Sequence, residues 1–350
     1  MSIQRLKIDA SASDKKKWDT YVAQHSEATL YHSSKWFSLI TKLFKHTVYA
    51  FYKLENDLIT GVLPMVRIQS RIFGDYYVAM PYVNYGGVLA DTDEIKTDLI
   101  SYANQFVKSE GGTHIEYRHT FELAEFDNEA LPVRTDKVLM VLELPENEEA
   151  LWKAIGSKVR AQVKRPQREN VSVKHGGLEM VDDFYTVFAR NMRDLGTPVY
   201  AKALFSSIIE NFPDSAHIVV VYHEDKPAAA GFTIGYKGRL EIPWASALRE
   251  YNKISVNMLL YWEILKYAIE AGYKEFDFGR STINAGTYRF KKQWGAKPQQ
   301  LYWHYWLREG GEPPQMNPHN PKYQLVIKIW QKMPVWLTKI IGPSIVKNLP

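Results

Sequence analysis

Polar residues that follow the apolar segment at 276–278 are the first candidates for chemistry. Asp277 lies inside this segment, and Arg280 and Ser281 follow it in a Gly-Arg-Ser turn. Polar groups just after a strand lie where an α/β sheet places a binding site. A buried carboxylate needs a partner, and Arg280 is close in sequence. The two residues therefore form either a structural pair that orients the turn or a catalytic pair in which Asp277 deprotonates a nucleophile.

A short predicted helix after this turn alternates aromatic and cationic residues. Tyr288, Phe290 and Trp294 stand among lysines and an arginine, with Lys291 between two of the rings, and Gly295 lies where the helix would end. In one interpretation the rings are core and Lys291 is a solvated helix residue. In the other, these side chains belong to a binding site.

Positive charge is concentrated in two places, although the net charge of the chain is only +5. Residues 153–175 are strongly basic and include Lys158 and Arg160, and the chain after Glu312 carries lysines but no acid. Such runs are often a solvated helix face and a solubilising tail. The alternative is a docking surface for an anion, such as a nucleotide sugar, an RNA end or a lipid headgroup.

The composition is that of a large folded protein. With 350 residues, 45% of them hydrophobic, two domains of ordinary size are expected. The absence of cysteine excludes disulfides and thiolate metal sites, and the ten histidines form no close ligand pair, so we expect no metal. The N-terminus lacks an apolar signal-peptide region, and no apolar run approaches the ~20 residues that span a bilayer. We therefore expect a cytoplasmic location.

The two halves of the chain show the same order of predicted elements. Each has a hairpin, a long strand, a helix ended by glycine and a further strand, which gives a parallel pair at its centre. The predicted strands are 47–54, 58–69, 76–89, 113–118, 217–224, 227–236, 239–248 and 274–279, and the predicted helices are 92–110 and 254–271. This repetition favours duplication, although any αβ unit has this order.

The order of elements resembles that of a GNAT acyltransferase domain, and it predicts an α+β fold with mixed sheets in two tandem GNAT-like domains. We place these domains at 1–150 and 151–310, with a helical tail at 311–350. The GNAT fold normally holds the pyrophosphate of coenzyme A on a Gly-rich loop before its long helix. Here the loop at 247–257 has no glycine, and the loop at 86–94 is acidic. This departure argues against an ordinary acetyltransferase.

Several motifs resemble the FemABX-type aminoacyltransferases, which are two fused GNAT-like domains without that loop. GTYRFKKQWGA at 286–296 resembles the Y-x-FK-x-x-[FW]-G signature of the family, and the segments at 29–40, 157–173 and 191–199 resemble further family motifs in the right order. FDFGRST, GVLPM and IFGDYYVAMPY are similar to the branch found with PEP-CTERM and exopolysaccharide export systems. One departure is Ile40, which stands where a lysine usually contacts a UDP-linked precursor, and it argues against that precursor as the acceptor.

The resemblance implies roles for individual residues. Lys291 matches the lysine that contacts the 3′ end of the aminoacyl-tRNA donor and stabilises the oxyanion, and Phe290 matches an aromatic partner of the donor's terminal base. Arg193 matches a position that meets the acceptor's phosphates. The full expected set is catalytic Lys291 and Asp277, with substrate contacts from Arg193, Tyr200, Trp244, Arg280, Ser281, Tyr288, Phe290, Lys158 and Arg160. Glu116 and Arg118 mirror Asp277 and Arg280, and we interpret them as a remnant of duplication.

The function that follows is a Fem-like acyl or aminoacyl transferase acting on an amine of a cell-envelope or exopolysaccharide precursor, such as a lipid-linked glycan. It would bind no cofactor and would use either aminoacyl-tRNA or acyl-CoA as the donor. The alternatives are an acyl-CoA-dependent GNAT N-acyltransferase and a non-catalytic accessory protein of an envelope polysaccharide export system. We expect removal of Lys291 to reduce transfer by about 10² or more with little loss of stability.

The tail at 322–349 mixes apolar residues with lysines and contains Pro334 and Pro343. The prolines predict two or three short helices. Such a segment suits either the surface of an anionic membrane, here the inner membrane face, or packing against the N-terminal domain with its lysines extended to water.

Overall fold

The structure is a computed structural model that describes residues 2–7, 10–70, 74–123, 131–309, 311–313 and 321–349. The strands in these ranges are β1 (Ser2–Leu6), β2 (Thr47–Glu55), β3 (Leu58–Ser70), β4 (Gly74–Val78), β5 (Leu89–Ala90), β6 (His114–His119), β7 (Val133–Arg134), β8 (Lys137–Glu143), β9 (Val171–Gly176), β10 (Ala216–His223), β11 (Lys226–Tyr236), β12 (Arg239–Ala247), β13 (Glu275–Thr282), β14 (Lys297–Gln300) and β15 (Tyr302–Leu307). The helices are α1 (Ala12–Gln24), α2 (Ser34–Phe44), α3 (Asp93–Ser109), α4 (Glu148–Ala154), α5 (Ser157–Lys164), α6 (Val181–Leu195), α7 (Lys202–Asn211), α8 (Val256–Glu270), α9 (Gly286–Lys292), α10 (Pro321–Lys332) and α11 (Val335–Val346).

The chain divides into two compact units, each built on its own mixed sheet. The first unit comprises Met1–Lys137, Gln300–Gln315 and Asn348–Pro350, and the second comprises Val138–Gln299 and Met316–Lys347. The predicted boundaries at 150 and 310 differ from these units. The chain enters the second sheet with β8 and returns to the first with β15, so the neighbouring strands β14 and β15 belong to different sheets.

The first sheet has the strand order β1-β2-β3-β4-β6-β15-β7, and β5 pairs with β3. Its parallel pair joins β4 to β6, with Tyr77 opposite Ile115. Helix α3 packs on β2 and β3 through buried residues that include Leu99 and Val107. It ends before Gly111, which adopts a positive φ of 83° as a helix-ending glycine can. This arrangement is the αβ unit predicted for the first half.

The predicted strand over 76–89 is wrong, because β4 ends at Val78. Backbone φ angles at Met80 and Tyr82 are positive, 59° and 71°, which is incompatible with a continuing strand. Pro81 lies between them and Gly86 follows, so the chain turns here until it pairs again at β5. Residues 79–88 therefore form a loop at the carboxyl end of β4.

The second sheet has the order β14-β8-β13-β12-β11-β10-β9, with β12 and β13 parallel. Helix α8 is apolar on most of its surface and packs against β10, β11 and α5, so it lies in the core of this unit. It ends before Gly272, whose φ is 80°, and β13 begins three residues later. The predicted hairpin, long strand, helix and strand of this half are all present.

The tail packs on the second unit, where α10 and α11 both contact α6. Packing against the N-terminal domain was one of the two alternatives left open by the sequence, and these two helices belong instead to the second unit. Pro334 separates α10 from α11 as predicted, but Pro343 lies inside α11. The residue before it, Gly342, has no Cβ and so avoids the clash that usually excludes a pre-proline residue from a helix. None of the described helices is long and apolar enough to cross a membrane.

A buried ion pair lies at the carboxyl end of β6 in the first unit. Arg118 approaches the Glu116 carboxylate to 2.6 Å, and the Tyr305 hydroxyl on β15 donates to the same group at 2.7 Å. A second Arg118 nitrogen donates to the Val83 carbonyl at 2.6 Å, and the guanidinium lies 4.5 Å from the ring centre of Trp303. Burial alone would raise the pKa of Glu116, but Arg118 and Tyr305 outweigh it and hold that pKa below its ordinary value.

We predict that Arg118→Ala destabilises the first unit by about 3–5 kcal/mol, because it leaves the Glu116 carboxylate buried without its cation. The matched control is Arg190→Ala, which removes an exposed ion pair with Glu250 and is expected to cost under about 1 kcal/mol. Urea unfolding followed by circular dichroism measures both. Equal unfolding midpoints for the two variants would contradict a structural role for this pair.

Candidate functional site

The parallel strands β12 and β13 separate soon after they meet. Residues Arg239–Glu241 pair with Glu275–Asp277, although β12 continues to Ala247 and β13 to Thr282. Beyond Glu241 and Asp277 the two strands therefore diverge and leave a fork at their carboxyl ends. In open α/β sheets this end of the strands is where ligands bind.

Asp277 stands at the point where the fork opens, and its side chain is fully buried. Its Oδ1 accepts a hydrogen bond from the Gly279 N–H at 2.7 Å. Gly279 has a φ of 77°, a conformation that costs glycine little and other residues considerably more, so β13 bends at this residue. The carboxylate thus orders the turn itself. Arg280, the partner expected from the sequence, is exposed.

Lys291 reaches this bend from α9 and is buried, with 7% of the residue exposed. Its ammonium donates to the carbonyl oxygens of Gly279 and Arg280, both at 2.9 Å. Burial lowers the pKa of Lys291 to about 8, the Asp277 charge opposes this shift, and the Arg280 charge adds to it. At neutral pH the side chain is therefore a cation, and the interpretation of Lys291 as a solvated helix residue is wrong.

Ser281 follows in the same bend. It is 3% exposed, and among the described residues its hydroxyl has no hydrogen-bond partner. A buried hydroxyl without a partner costs free energy, which marks Ser281 as a candidate functional residue. The structure thus brings together Asp277, Arg280, Ser281 and Lys291, four of the residues chosen from the sequence.

The aromatic residues of α9 pack toward the core of the second unit. Phe290 makes an edge-to-face contact with Tyr261 at 5.0 Å, Trp294 is buried, and Tyr288 packs against the same cluster. Part of each predicted donor-binding ring is thus used for packing. Stacking of Phe290 on a donor base and contact of Tyr288 with substrate stay predictions.

Two predicted contact residues cap or tie helices instead of facing a free surface. Arg160 donates to the carbonyls of Trp152 and Ile155 at 3.2 and 2.5 Å and so satisfies the C-terminal end of α4. Arg193 donates to the Met333 carbonyl at 2.8 Å and also binds the adjacent carboxylate of Asp194. The guanidinium that was expected to meet acceptor phosphates therefore uses donors to hold the tail on α6.

The remaining predicted contacts divide between core and surface. Trp244 is buried against Phe205 and Phe232, at 5.1 and 5.5 Å, and Tyr200 lies 6.1 Å from its ring. Lys158 is exposed on α5. The structure thus gives Trp244 a packing role, and contact of Tyr200 and Lys158 with substrate stays a prediction.

Glu241 was not selected from the sequence, although it is buried and lies opposite Asp277 in the last backbone pair before the two strands separate. The signal was a single acidic residue between Leu240 and Ile242, where an acid in an apolar strand is costly unless it has a role. No group of three or more histidine, aspartate or glutamate residues is placed to hold a metal ion in the described parts of the chain.

The turn before α8 contains no glycine, and yet one of its residues adopts a backbone conformation that is typical of glycine. A short 3₁₀ turn covers Arg249–Ile254, and Ser255 then adopts φ 64°, a value more common for glycine, directly before α8. No side chain caps α8. The turn thus takes a glycine-like backbone conformation, but it carries a Cβ where a coenzyme A loop would let the backbone approach a phosphate.

Comparison with known proteins agrees with this geometry. Residues 157–292, which lie within the second unit, match the family described as acetyltransferase (GNAT) domain. No curated protein sequence matches the chain.

Several solved structures are similar along most of their length. FemX superposes with a TM-score of 0.64 at 13% identity, covering 93% of this chain and 100% of that chain. The C-terminal domain of a putative lysylphosphatidylglycerol synthetase from Agrobacterium fabrum superposes with a TM-score of 0.54 at 13% sequence identity. The match covers 85% of this chain and 92% of that chain. A tandem GNAT protein from the clavulanic acid biosynthesis pathway superposes with a TM-score of 0.53 at 11% sequence identity. The match covers 89% of this chain and 99% of that chain. The predicted fold class, an α+β fold of two tandem GNAT-like domains with mixed sheets, is confirmed.

We predict that Lys291→Ala lowers the free energy of unfolding by about 2–4 kcal/mol, because it strands two carbonyl oxygens in a buried bend. This reverses the expectation, drawn from the sequence, that stability would be spared. Lys292→Ala is the matched control: the neighbouring lysine is exposed, and its removal should change stability by less than about 0.5 kcal/mol. Urea midpoints that agree between the two variants would show that the Lys291 hydrogen bonds contribute little.

Proposed function

We propose that this protein is a Fem-like acyl or aminoacyl transferase that modifies an amine of a cell-envelope or exopolysaccharide precursor at the cytoplasmic face of the membrane. The observation that carries the proposal is the Lys291 ammonium, buried at the fork between β12 and β13 beside Asp277. The tandem GNAT-like fold, which FemX shares, supports it. The putative lysylphosphatidylglycerol synthetase, whose name joins an amino acid to a lipid, supports an envelope-linked acceptor by analogy.

The reaction needs a cation where negative charge develops. The acceptor amine attacks the carbonyl carbon of the donor, a C–N bond forms, and the bond from that carbon to the donor oxygen or sulfur breaks. The proton lost by the amine ends on the departing atom. A fixed ammonium near the carbonyl oxygen stabilises the intermediate, and one such donor contributes roughly 3–4 kcal/mol, or 10²–10³ in rate.

Asp277 acts in this scheme by holding the Lys291 charge and the Gly279 bend. Its oxygen accepts the Gly279 N–H, and its charge keeps the pKa of Lys291 from falling further. The hydroxyl of Ser281 offers a further group to the substrate at the same bend. Arg280, which is exposed, suits contact with an anionic part of the donor.

Exposed cations favour aminoacyl-tRNA as the donor. Lys158, Lys164, Arg165 and Arg168 are exposed on or just after α5, where they can meet phosphates. Acyl-CoA is the second candidate, and one observation favours it: the uncapped N-terminus of α8 follows Ser255, which has a glycine-like φ.

We predict that transfer falls as pH rises through about 8, because deprotonation removes the Lys291 charge. Single-turnover rates would be measured with the acceptor identified by native mass spectrometry of protein from its own cells, and with each donor class. Lys291→Arg keeps its charge at high pH and should lose the falling limb, whereas Lys292→Arg should keep it. If the wild-type transfer rate stays level from pH 7.5 to about 9.5, the charge of Lys291 has no role in the mechanism.

We also predict weak binding of coenzyme A, because the Ser255 side chain hinders close approach of phosphate to the turn. Titration calorimetry with acetyl-CoA measures this directly. Ser255→Gly is the matched variant, and tighter binding by it would locate the obstruction. A dissociation constant in the low micromolar range for the unmodified protein would replace aminoacyl-tRNA by acyl-CoA as the donor.

A further inference from the structure

The two tail helices leave large apolar side chains in solvent. Leu325, Val326 and Ile329 on α10 and Trp336 and Ile340 on α11 are between 55% and 66% exposed. Scattered single residues of this kind are normal on a protein surface. Here five lie within sixteen residues, and the other large apolar residues exposed in the described structure are dispersed along the chain.

The opposite faces of the same helices are already packed. On α11, Thr338, Gly342 and Val346 recur at intervals of four and are buried, while Trp336 and Ile340 recur on the exposed side. A Cβ added to Gly342 would lie 2.9 Å from the Val199 backbone, so this face fits closely. Because these helices already bury their other face, the exposed residues are not part of the core of the second unit.

Helix α10 is fixed in the same way. Trp330 is buried. Ile327 packs so closely on Gly196 that a Cβ added to this glycine would lie only 2.5 Å from the Ile327 side chain. Two hydrogen bonds join the segment to the end of α6, from Arg193 to the Met333 carbonyl and from Gln331 to the Asp194 carbonyl. These contacts hold Leu325 and Ile329 outward before any partner arrives.

The charge of the tail is of one sign. From residue 321 onward the sequence contains lysines and no acid. Lys328 and Lys332 are exposed on α10, close in sequence to Ile329, whereas the Lys339 ammonium lies 5.3 Å from the ring centre of Tyr185 on α6. A surface that combines exposed tryptophan and aliphatic residues with lysines, on helices too short to span a bilayer, suits the headgroup region of an anionic membrane.

We propose that α10 and α11 form a membrane-docking surface that lies on an anionic lipid bilayer. The apolar side chains enter the boundary between headgroups and acyl chains, and the lysines meet the lipid phosphates. The helices are preorganised by their contacts with α6, so docking does not require them to fold at the membrane. This inference concerns binding alone and does not depend on the transferase proposal.

The test is co-sedimentation of the full chain with vesicles of equal parts phosphatidylcholine and phosphatidylglycerol, compared with vesicles of phosphatidylcholine alone. We expect binding to the anionic vesicles that weakens in high salt. The double variant Lys328→Ala/Lys332→Ala should bind about 25-fold more weakly, since each lysine near an anionic surface contributes about a factor of five. Trp336→Ser/Ile340→Ser should bind at least about tenfold more weakly.

Matched controls separate this surface from general stickiness. Leu58→Ser and Leu178→Ser remove exposed apolar residues elsewhere, and Lys226→Ala removes an exposed lysine; all three should bind as the unmodified protein does. Circular dichroism melting checks that each variant is folded. Failure of the intact protein to sediment with anionic vesicles overturns the proposal, as does unchanged binding by both folded double variants. Equal binding to both vesicle types overturns the role of charge, and salt-sensitive self-association without vesicle binding would mark a protein interface instead.

Discussion

Where two parallel strands separate, the backbone groups that faced each other lose their partners, and the second unit depends on a lysine side chain to satisfy them. The carbonyls of Gly279 and Arg280 accept hydrogen bonds from the Lys291 ammonium instead of from a neighbouring strand. The fork can therefore stay open, which a continuous ladder would prevent. The charge that completes these backbone hydrogen bonds is also the one that the proposed transfer reaction uses, so in that proposal stability and chemistry depend on a single group.

The first unit meets the same constraint and solves it differently. Its parallel pair also separates early, after Val78 and Glu116, and Arg118 donates into the loop that follows β4. Tyr305 and Trp303 then close the pair from β15. A carboxylate stands at the branching point in both units, Glu116 in one and Asp277 in the other. In the first unit, however, the cation is fully paired and covered, which fits the interpretation of this pair as a remnant of duplication.

Sequence patterns predicted the elements whose causes are local. The glycines at 111 and 272 end helices, and the strands around them alternate or run apolar, so both αβ units were predictable. The loop at 79–88 was not, because Tyr82 and Val83 look like strand residues and only the fold makes them turn. Pro343 likewise stays inside a helix because its neighbour is glycine.

The sequence predicted which residues belong to the candidate site, but it did not predict their burial or their hydrogen-bond partners. Motif resemblance selected Lys291, and its place inside an apolar segment selected Asp277. The burial of Lys291, however, arises from the return of α9 onto β13, which no local pattern encodes. Arg160 and Arg193 were predicted to contact substrate, but both donate hydrogen bonds to backbone carbonyls. An arginine near a helix end is as well suited to capping carbonyls as to binding phosphate, and only the positions of Ile155 and Met333 decide between the two.

The return of the chain to the first sheet has a consequence for the order of folding during synthesis. Strand β15 lies between β6 and β7, so β6 keeps one unpaired edge until residues 302–307 have left the ribosome. The second sheet takes all its strands from one continuous stretch, 137–300, and can be completed earlier. The sheet whose first strand is translated first is thus the sheet that is completed last. During that interval the open edge of β6 is the strand most exposed to wrong pairing with another chain.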